Sequence, residues 1–262
     1  MIYIKVCFLC FYLFQTTSLD AFQKDKTKLK HTIEVYHPGK ENGGLQKQAL
    51  IEVKNNEGKT TAYYADVESV ICKETVCKII SVRLFWNEFG AYKKFIIKKG
   101  TQLEKWEGLP FTFLDYQKLQ DILSNKNSPF KELKIYEVVN TLATSSDGSS
   151  SYDGISGATS ISLNEYETIF GATLTCYTLW HWVYGSIRTN IRDITGNNLK
   201  SSDFIKLLKS KNKEDRNFAL EQLTFHLIYE DQISKTILHQ YKNDKLSLKS
   251  MLNYFEKSTV NI

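Results

Sequence analysis

The sequence predicts an α+β fold, an antiparallel β-rich N-terminal body followed by a helical C-terminal subdomain. Three observations carry that expectation. Between residues 32 and 98, apolar and polar side chains alternate in short runs separated by turn signals, which is the period of half-buried strands. From residue 114, and most regularly from residue 201, the apolar spacing lengthens to three and four, the period of helices. Between the two textures, residues 144–151 (Thr-Ser-Ser-Asp-Gly-Ser-Ser-Ser) have the composition of a surface linker. The chain therefore divides into a leader (1–18), a β-rich domain with a short helical insertion (19–143), a linker with an adjoining motif (144–162) and a helical subdomain (163–262).

The β-rich part opens with a charged, frayed stretch over 20–30. Residues 32–36 alternate and stop at the turn signals His37-Pro38-Gly39 and Asn42-Gly43-Gly44. Residues 49–54 and 60–64 form a hairpin through Asn55-Asn56-Glu57-Gly58. With 67–72, 77–86 and 92–98 the pattern becomes a meander of about six short strands, hence an antiparallel sheet. Residues 114–123 space their apolar side chains helically, with Thr112 or Asp115 as N-cap, after an irregular entry over 106–111 that buries its rings. A polar break over 124–129 leads to a short segment over 130–142.

Downstream, Ser162-Leu163-Asn164-Glu165 has the Ser-x-x-Glu form of a capping box, so a helix is expected to begin just past Thr159 and Ser160. Along it Tyr166, Phe170, Thr173, Tyr177, Trp180 and Tyr184 fall at steps of four and three, one continuous face. Such an aromatic stripe reads as core packing; the alternative is that part of it walls a pocket for a planar ring. No acidic or basic residue other than His181 occurs from 169 to 187, nominally enough to span a bilayer, but three threonines, two glycines and a serine favour a buried helix. Gly171, placed mid-helix by this reading, implies close approach of another backbone. The tail adds helices over 203–209, 214–229, 232–241 and 246–255, a small subdomain packed on the aromatic helix.

With 262 residues and 42% hydrophobic content the chain can bury a sizeable core. Its net charge of +5 is spread as mixtures of both signs, and no nucleic-acid-binding signature accompanies it, so nucleic acid is excluded as the expected partner. The N-terminus has Lys5, an apolar run over 6–14 and small polar residues over 16–18. That is the layout of a secretory signal peptide, cleaved after Ser18 or Ala21, and too short for a comfortable membrane span. The expected location is extracytoplasmic, periplasmic or secreted, with membrane association only if the leader stays uncleaved. Beyond the leader only Cys72, Cys77 and Cys176 remain. In an oxidising compartment Cys72 and Cys77 suit a disulfide stapling a hairpin; the alternatives are a redox pair or half of a zinc site, for which no second Cys/His pair exists.

Hydrolase chemistry finds little support. His31, His37, His181, His226 and His239 form no His-Glu-x-x-His motif, and there is no Gly-x-Ser-x-Gly elbow, phosphate loop or dinucleotide fingerprint. His181, between Trp180 and Trp182, reads as a hydrogen-bonded core histidine.

One stretch remains, Tyr152-Asp153-Gly154-Ile155-Ser156-Gly157-Ala158-Thr159-Ser160. It resembles the Ser/Thr-Gly-Ala-Thr flavin-attachment motif of FMN-binding domains, as in FMN-carrying subunits of Na+-translocating NADH:quinone reductase and Rnf-type complexes. The resemblance implies that Thr159 is the acceptor of a phosphoester-linked FMN, Ser156 the first hydroxyl, Gly157 and Ala158 the small spacers and Asp153 the upstream acidic residue. It further implies a flavin transferase and a redox partner, and an electron carrier rather than a stand-alone enzyme. Small residues give a phosphate room to approach the backbone, and a following helix N-terminus offers it free N–H donors. The alternative for the stretch is a polar turn feeding an N-cap. A second Gly171-Ala172-Thr173 lacks the upstream Asp and Ser and reads as packing. The other function class is a cofactor-free extracytoplasmic protein-interaction module.

Overall fold

A computed structural model describes residues 27–40, 44–73, 76–138, 163–164, 166–241 and 248–259. Its fold is α+β. Five strands, β1 (Thr27–Tyr36), β2 (Leu45–Lys54), β3 (Thr60–Lys73), β4 (Val76–Trp86) and β5 (Tyr92–Ile97), pair in sequence order, every neighbour antiparallel. The β2–β3 and β4–β5 turns are built by asparagines. Asn55 Oδ1 accepts from the N–H groups of Glu57 and Lys59, and Asn87 Oδ1 from those of Phe89 and Ala91, so each side chain substitutes for a turn's backbone acceptor.

Two expectations about the strands need correction. The stretches 60–64 and 67–72 are one strand, because Ala65 and Asp66 continue the alternation: Tyr63, Ala65 and Val67 are buried, while Asp66 faces outward and takes a bidentate pair from Arg83 across the ladder. The sheet thus has five strands where about six were expected. β1 also starts at Thr27, inside the stretch expected to fray. Its exposed first residues pair with β2 from Thr27↔Lys54 to Lys30↔Ile51, since ladder hydrogen bonds need no apolar side chains.

Seven α-helices follow among the described residues: α1 (Phe113–Ser124), α2 (Thr173–Tyr184), α3 (Ser186–Asn197), α4 (Ser201–Leu208), α5 (Lys213–Phe225), α6 (Asp231–Tyr241) and α7 (Leu248–Thr259). α1 is capped as expected. Thr112 Oγ1 accepts from Asp115 N, and the Asp115 carboxylate accepts from Thr112 N at 2.8 Å, a reciprocal capping box. Of the rings entering it, Phe111 is buried and Trp106 only half so.

α2 begins at Thr173, well past the expected start. Residues 166–171 form turns instead, with Asn164 Oδ1 accepting from Tyr166 N and the Glu167 carboxylate from Asn164 N; Ser162 and Glu165 lie outside the described residues. Gly171 is not mid-helix. It has φ +73°, its carbonyl accepts from Trp106 N at 2.9 Å, and a Cβ on it would sit 3.2 Å from that same nitrogen. The close backbone approach is real, but a left-handed turn creates it. The charge-free stretch is broken again at Gly185, between α2 and α3, and no described helix is long and apolar enough to cross a membrane.

One core joins the inner face of the sheet to α1, α2 and the first half of α3; Leu50, Tyr63, Val82, Leu84, Trp86 and Trp182 are at its centre. A second cluster, around Phe204, Leu208, Leu223, Ile237 and Tyr254, holds α4 to α7 together. The tail leans chiefly on α3, not on the aromatic helix as expected. There Phe218 of α5 meets the Phe89 ring at 4.7 Å, and the Arg192 guanidinium of α3 lies 4.8 Å above Phe218. α5 stops at Phe225, short of the expected residue 229, and Leu227 then takes φ +54°.

Candidate functional site

The flavin-type motif residues Asp153, Ser156, Gly157, Ala158 and Thr159 lie outside the described residues, as does the leader 1–18. The chain rejoins the described fold at Leu163, which is buried in the main core. Past it stand Tyr166 and Phe170, both exposed, and the Phe170 ring meets Trp106 edge-on at 5.6 Å. Ala172 and Thr173 of the second Gly-Ala-Thr are buried, and the Thr173 hydroxyl accepts from Thr168 Oγ1, which leaves that site as packing. The side chains of Cys72 and Cys77 also lie outside the description. The β3–β4 register places the two residues directly opposite one another, a position where Cα atoms are about 4.5–5.5 Å apart, within disulfide range.

The aromatic helix α2 uses its ring edges as donors on two sides. Toward α1, Tyr184 OH donates to Leu123 O (2.9 Å), Trp180 Nε1 to Asn125 O (2.9 Å), His181 Nε2 to Phe130 O (2.9 Å) and Tyr177 OH to Leu133 O (3.4 Å). Leu123 and Asn125 sit where helix carbonyls run out of intrahelical partners, so the rings satisfy groups that burial would otherwise strand. Toward the sheet, Trp182 Nε1 donates to Glu68 O, and Trp86 Nε1 donates back to Val183 O. From Thr173 to Tyr184 the stripe is a hydrogen-bonded core wall, whereas Tyr166 and Phe170, expected on the same helical face, precede the helix and are exposed. His181 must carry its proton on Nε2 to donate to a carbonyl, and burial lowers its pKa; it is the core histidine the sequence implied. Cys176 is fully buried and burial pushes its thiol up to about 11, which makes it inert rather than nucleophilic.

Two polar clusters were not anticipated. In the first, the buried Glu52 carboxylate accepts from His31 Nε2 (2.8 Å) and Thr60 Oγ1, with Lys54 Nζ at 3.4 Å. Burial would raise its pKa, but the Thr60 and His31 hydrogen bonds and the Lys54 charge hold it below the ordinary value. Tyr63, opposite Glu52 in the ladder, donates to Thr195 Oγ1, which in turn donates to Glu88 O. Burial first of all pushes the Tyr63 hydroxyl up to about 12. Parity within β2 could have revealed this cluster, since Glu52 shares the inward face with Leu50.

The second cluster surrounds Trp182. His37 Nδ1 accepts from Gly39 N at 3.0 Å, so its proton is on Nε2, which points toward Glu68 Oε2 at 3.7 Å, beyond a hydrogen bond. The His37 ring stands edge-on to Trp182 at 5.2 Å, and a Cβ on Gly39 would overlap the Thr178 hydroxyl one helical turn earlier. His37 Nε2, Ser69 Oγ and Thr178 Oγ1 are all buried without a hydrogen-bond partner.

Elsewhere the surface offers open ground. On the outer face of the sheet, Lys30, Ile51, Tyr64, Phe85 and Lys94 form one cross-strand row, with Arg83 4.5 Å above Tyr64 and Lys94 5.3 Å above Phe85. The rings are already covered by the protein's own cations. Among the described residues no cluster of three or more His, Cys, Asp or Glu could hold a metal. Comparison with known protein families, curated proteins and solved structures finds no match to the chain in any of the three.

Proposed function

We propose that the chain is an extracytoplasmic FMN-binding protein that carries flavin on Thr159 and acts in electron transfer. The observation behind this reading is the run Asp153-Gly154-Ile155-Ser156-Gly157-Ala158-Thr159, downstream of an export-type leader and an exposed-type linker. Attachment joins Thr159 Oγ to the FMN phosphorus, with AMP leaving FAD on a separate flavin transferase. Flavin supplies the redox chemistry, while the protein contributes attachment, shielding and partner access. Phe170, seven residues past the point where the chain rejoins the described fold at Leu163, meets Trp106 and presents aromatic surface that a planar ring system can stack against.

The test is co-expression of the mature chain with a flavin transferase. The expected result is an in-gel fluorescent band and a mass gain of FMN less water, both absent in Thr159→Val. A wild-type chain that gains no flavin and binds none in solution refutes the proposal. The function then passes to the second reading, a cofactor-free extracytoplasmic interaction module, which the large exposed apolar side chains around α1 favour.

A further inference from the structure

The outer face of the sheet carries more cations than its own acids can neutralise. Among the described residues its carboxylates are each matched: Asp66 by Arg83 at 2.7 Å, Glu68 by Lys40 at 3.3 Å, and Glu34 by its cross-strand neighbour Lys47. Lys28, Lys30, Lys94 and Lys98 share that face, Lys99 follows β5, and all five are exposed and make no ion pair among the described residues. The cations are also gathered. Arg83 lies 4.5 Å and Lys28 5.9 Å from the Tyr64 ring, Lys94 lies 5.3 Å from the Phe85 ring, and the two rings are 5.7 Å apart. The negative ring faces offset the repulsion between these cations and hold them side by side. Next to them Ser81, Arg83, Lys98 and Lys99 line a pocket of about 440 Å³. Its one acid, Asp66, takes Nε and Nη2 of Arg83, and Nη1 makes no hydrogen bond among the described residues.

We propose that this face binds an acidic polysaccharide, with one of its anionic groups seated in the pocket against Ser81, Arg83 and Lys98. The inference stands apart from the flavin reading and uses none of its residues. The spread of charge calls for a chain. Lys30 and Lys94 end one cross-strand row, four strand spacings or about 19 Å apart, too far for a single small anion to meet both. The shape argues against a flat anionic surface. Neighbouring strands turn by about 20–25°, so the strand direction swings by roughly 80–100° from β1 to β5, and a plane touches only part of a row that a flexible chain can follow. The rings argue against a nucleic acid. Base stacking needs open aromatic faces, and those of Tyr64 and Phe85 are covered by Arg83 and Lys94. What the face offers is a line of ammonium groups, a guanidinium and a hydroxyl, which suits repeated sulfate, phosphate or carboxylate groups on a sugar chain.

The test is fluorescence anisotropy of a labelled heparin oligosaccharide titrated with the full mature chain. Wild type should bind with a dissociation constant below about 100 µM at about 50 mM salt, the range of charge-driven binding. Five lysines at a salt slope of about 0.7 each, as on a single-stranded polyanion, predict a loss of about 100-fold between roughly 50 and 200 mM salt. Lys28→Gln, Lys94→Gln and Lys98→Gln together should reduce that loss to about 7-fold and weaken binding roughly 10-fold or more at the lower salt. Lys209→Gln, Lys235→Gln and Lys249→Gln together remove the same charge from exposed positions in the helical tail and should bind like wild type. On wild type, heparin should shield Lys28, Lys94 and Lys98 from acetylation and leave Lys209, Lys235 and Lys249 reactive, a readout that stands even if a variant fails to fold. Absence of binding, an equal loss in both variants, or acetylation of the sheet lysines unchanged by heparin overturns the proposal. Tighter binding of an oligothymidylate of equal charge assigns the face to nucleic acid, and preferential association with phosphatidylglycerol vesicles assigns it to a lipid surface; either outcome overturns the polysaccharide.

Discussion

Gly171 and Gly58 form a matched pair for testing why the segment before α2 is a turn. Both are left-handed, with φ of +73° and +75°. A Cβ on Gly58 would meet nothing within 4 Å, whereas one on Gly171 would lie 3.2 Å from Trp106 N, 3.4 Å from Lys105 Cβ and 3.5 Å from Trp106 Cβ. Alanine at either position incurs the left-handed penalty of about 1–2 kcal/mol. At Gly171 it must also displace backbone held by the Trp106 N–H to Gly171 O bond, an overpacking cost of about 1–3 kcal/mol. Urea unfolding should therefore show Gly58→Ala losing about 1–2 kcal/mol and Gly171→Ala about 2–5 kcal/mol, with unchanged m-values. Equal losses would mean that the Trp106–Gly171 approach contributes nothing. A neutral Gly171→Ala would sink the turn itself and restore a continuous helix through residue 171.

Two further predictions concern pH and thiols. His37 and His181 both have pKa values lowered from 6.5, each chiefly by burial, so the unfolded chain binds protons that the folded chain refuses. Their contribution is fully present above pH 6.5 and is lost as pH falls below it toward the folded values; the Glu52 carboxylate, depressed below 4.5, adds a further loss at lower pH. Urea midpoints should hold between pH 8 and 7 and decline toward pH 5, and a flat profile over that range refutes the buried neutral histidines. For the thiols, Cys176 should resist a thiol reagent until the protein unfolds. Cys72 and Cys77 in secreted protein should alkylate only after reduction, and free thiols at these positions by mass measurement would remove the expected bridge.

Legibility followed the range of the interaction. The β2–β3 hairpin was readable from Asn55 to Gly58, and the start of α1 from Thr112 and Asp115, because the groups that build them are neighbours in the chain. The split of β3 into two strands was a misreading of Ala65, whose small side chain is apolar enough to stay inward but too small to signal it. For the candidate site, Thr159 and its neighbours were legible only as a family-type motif. The Glu52 cluster went unnoticed because a carboxylate on the buried face contradicts the usual pattern, and only its partners His31 and Thr60 make that burial tolerable. The exposed apolar side chains at the start of α1 also escaped notice. The helical spacing of residues 114–123 says that a face will be buried, and it does not say that Phe113 and Leu114 fall off that face.

By itself, then, the order of residues determined an α+β chain, its antiparallel meander, the Asn55 turn and the cap of α1, all consequences of local periodicity and short-range hydrogen bonds. Only the tertiary structure decided where α2 begins, which helix the tail leans on and what the aromatic stripe is for. Trp106 must reach Gly171, Phe218 must reach Phe89, and the rings of Trp180, His181 and Tyr184 must find carbonyls of Leu123, Asn125 and Phe130. Those partners are distant in the chain, and they meet only when the sheet, α1 and the tail have closed around α2.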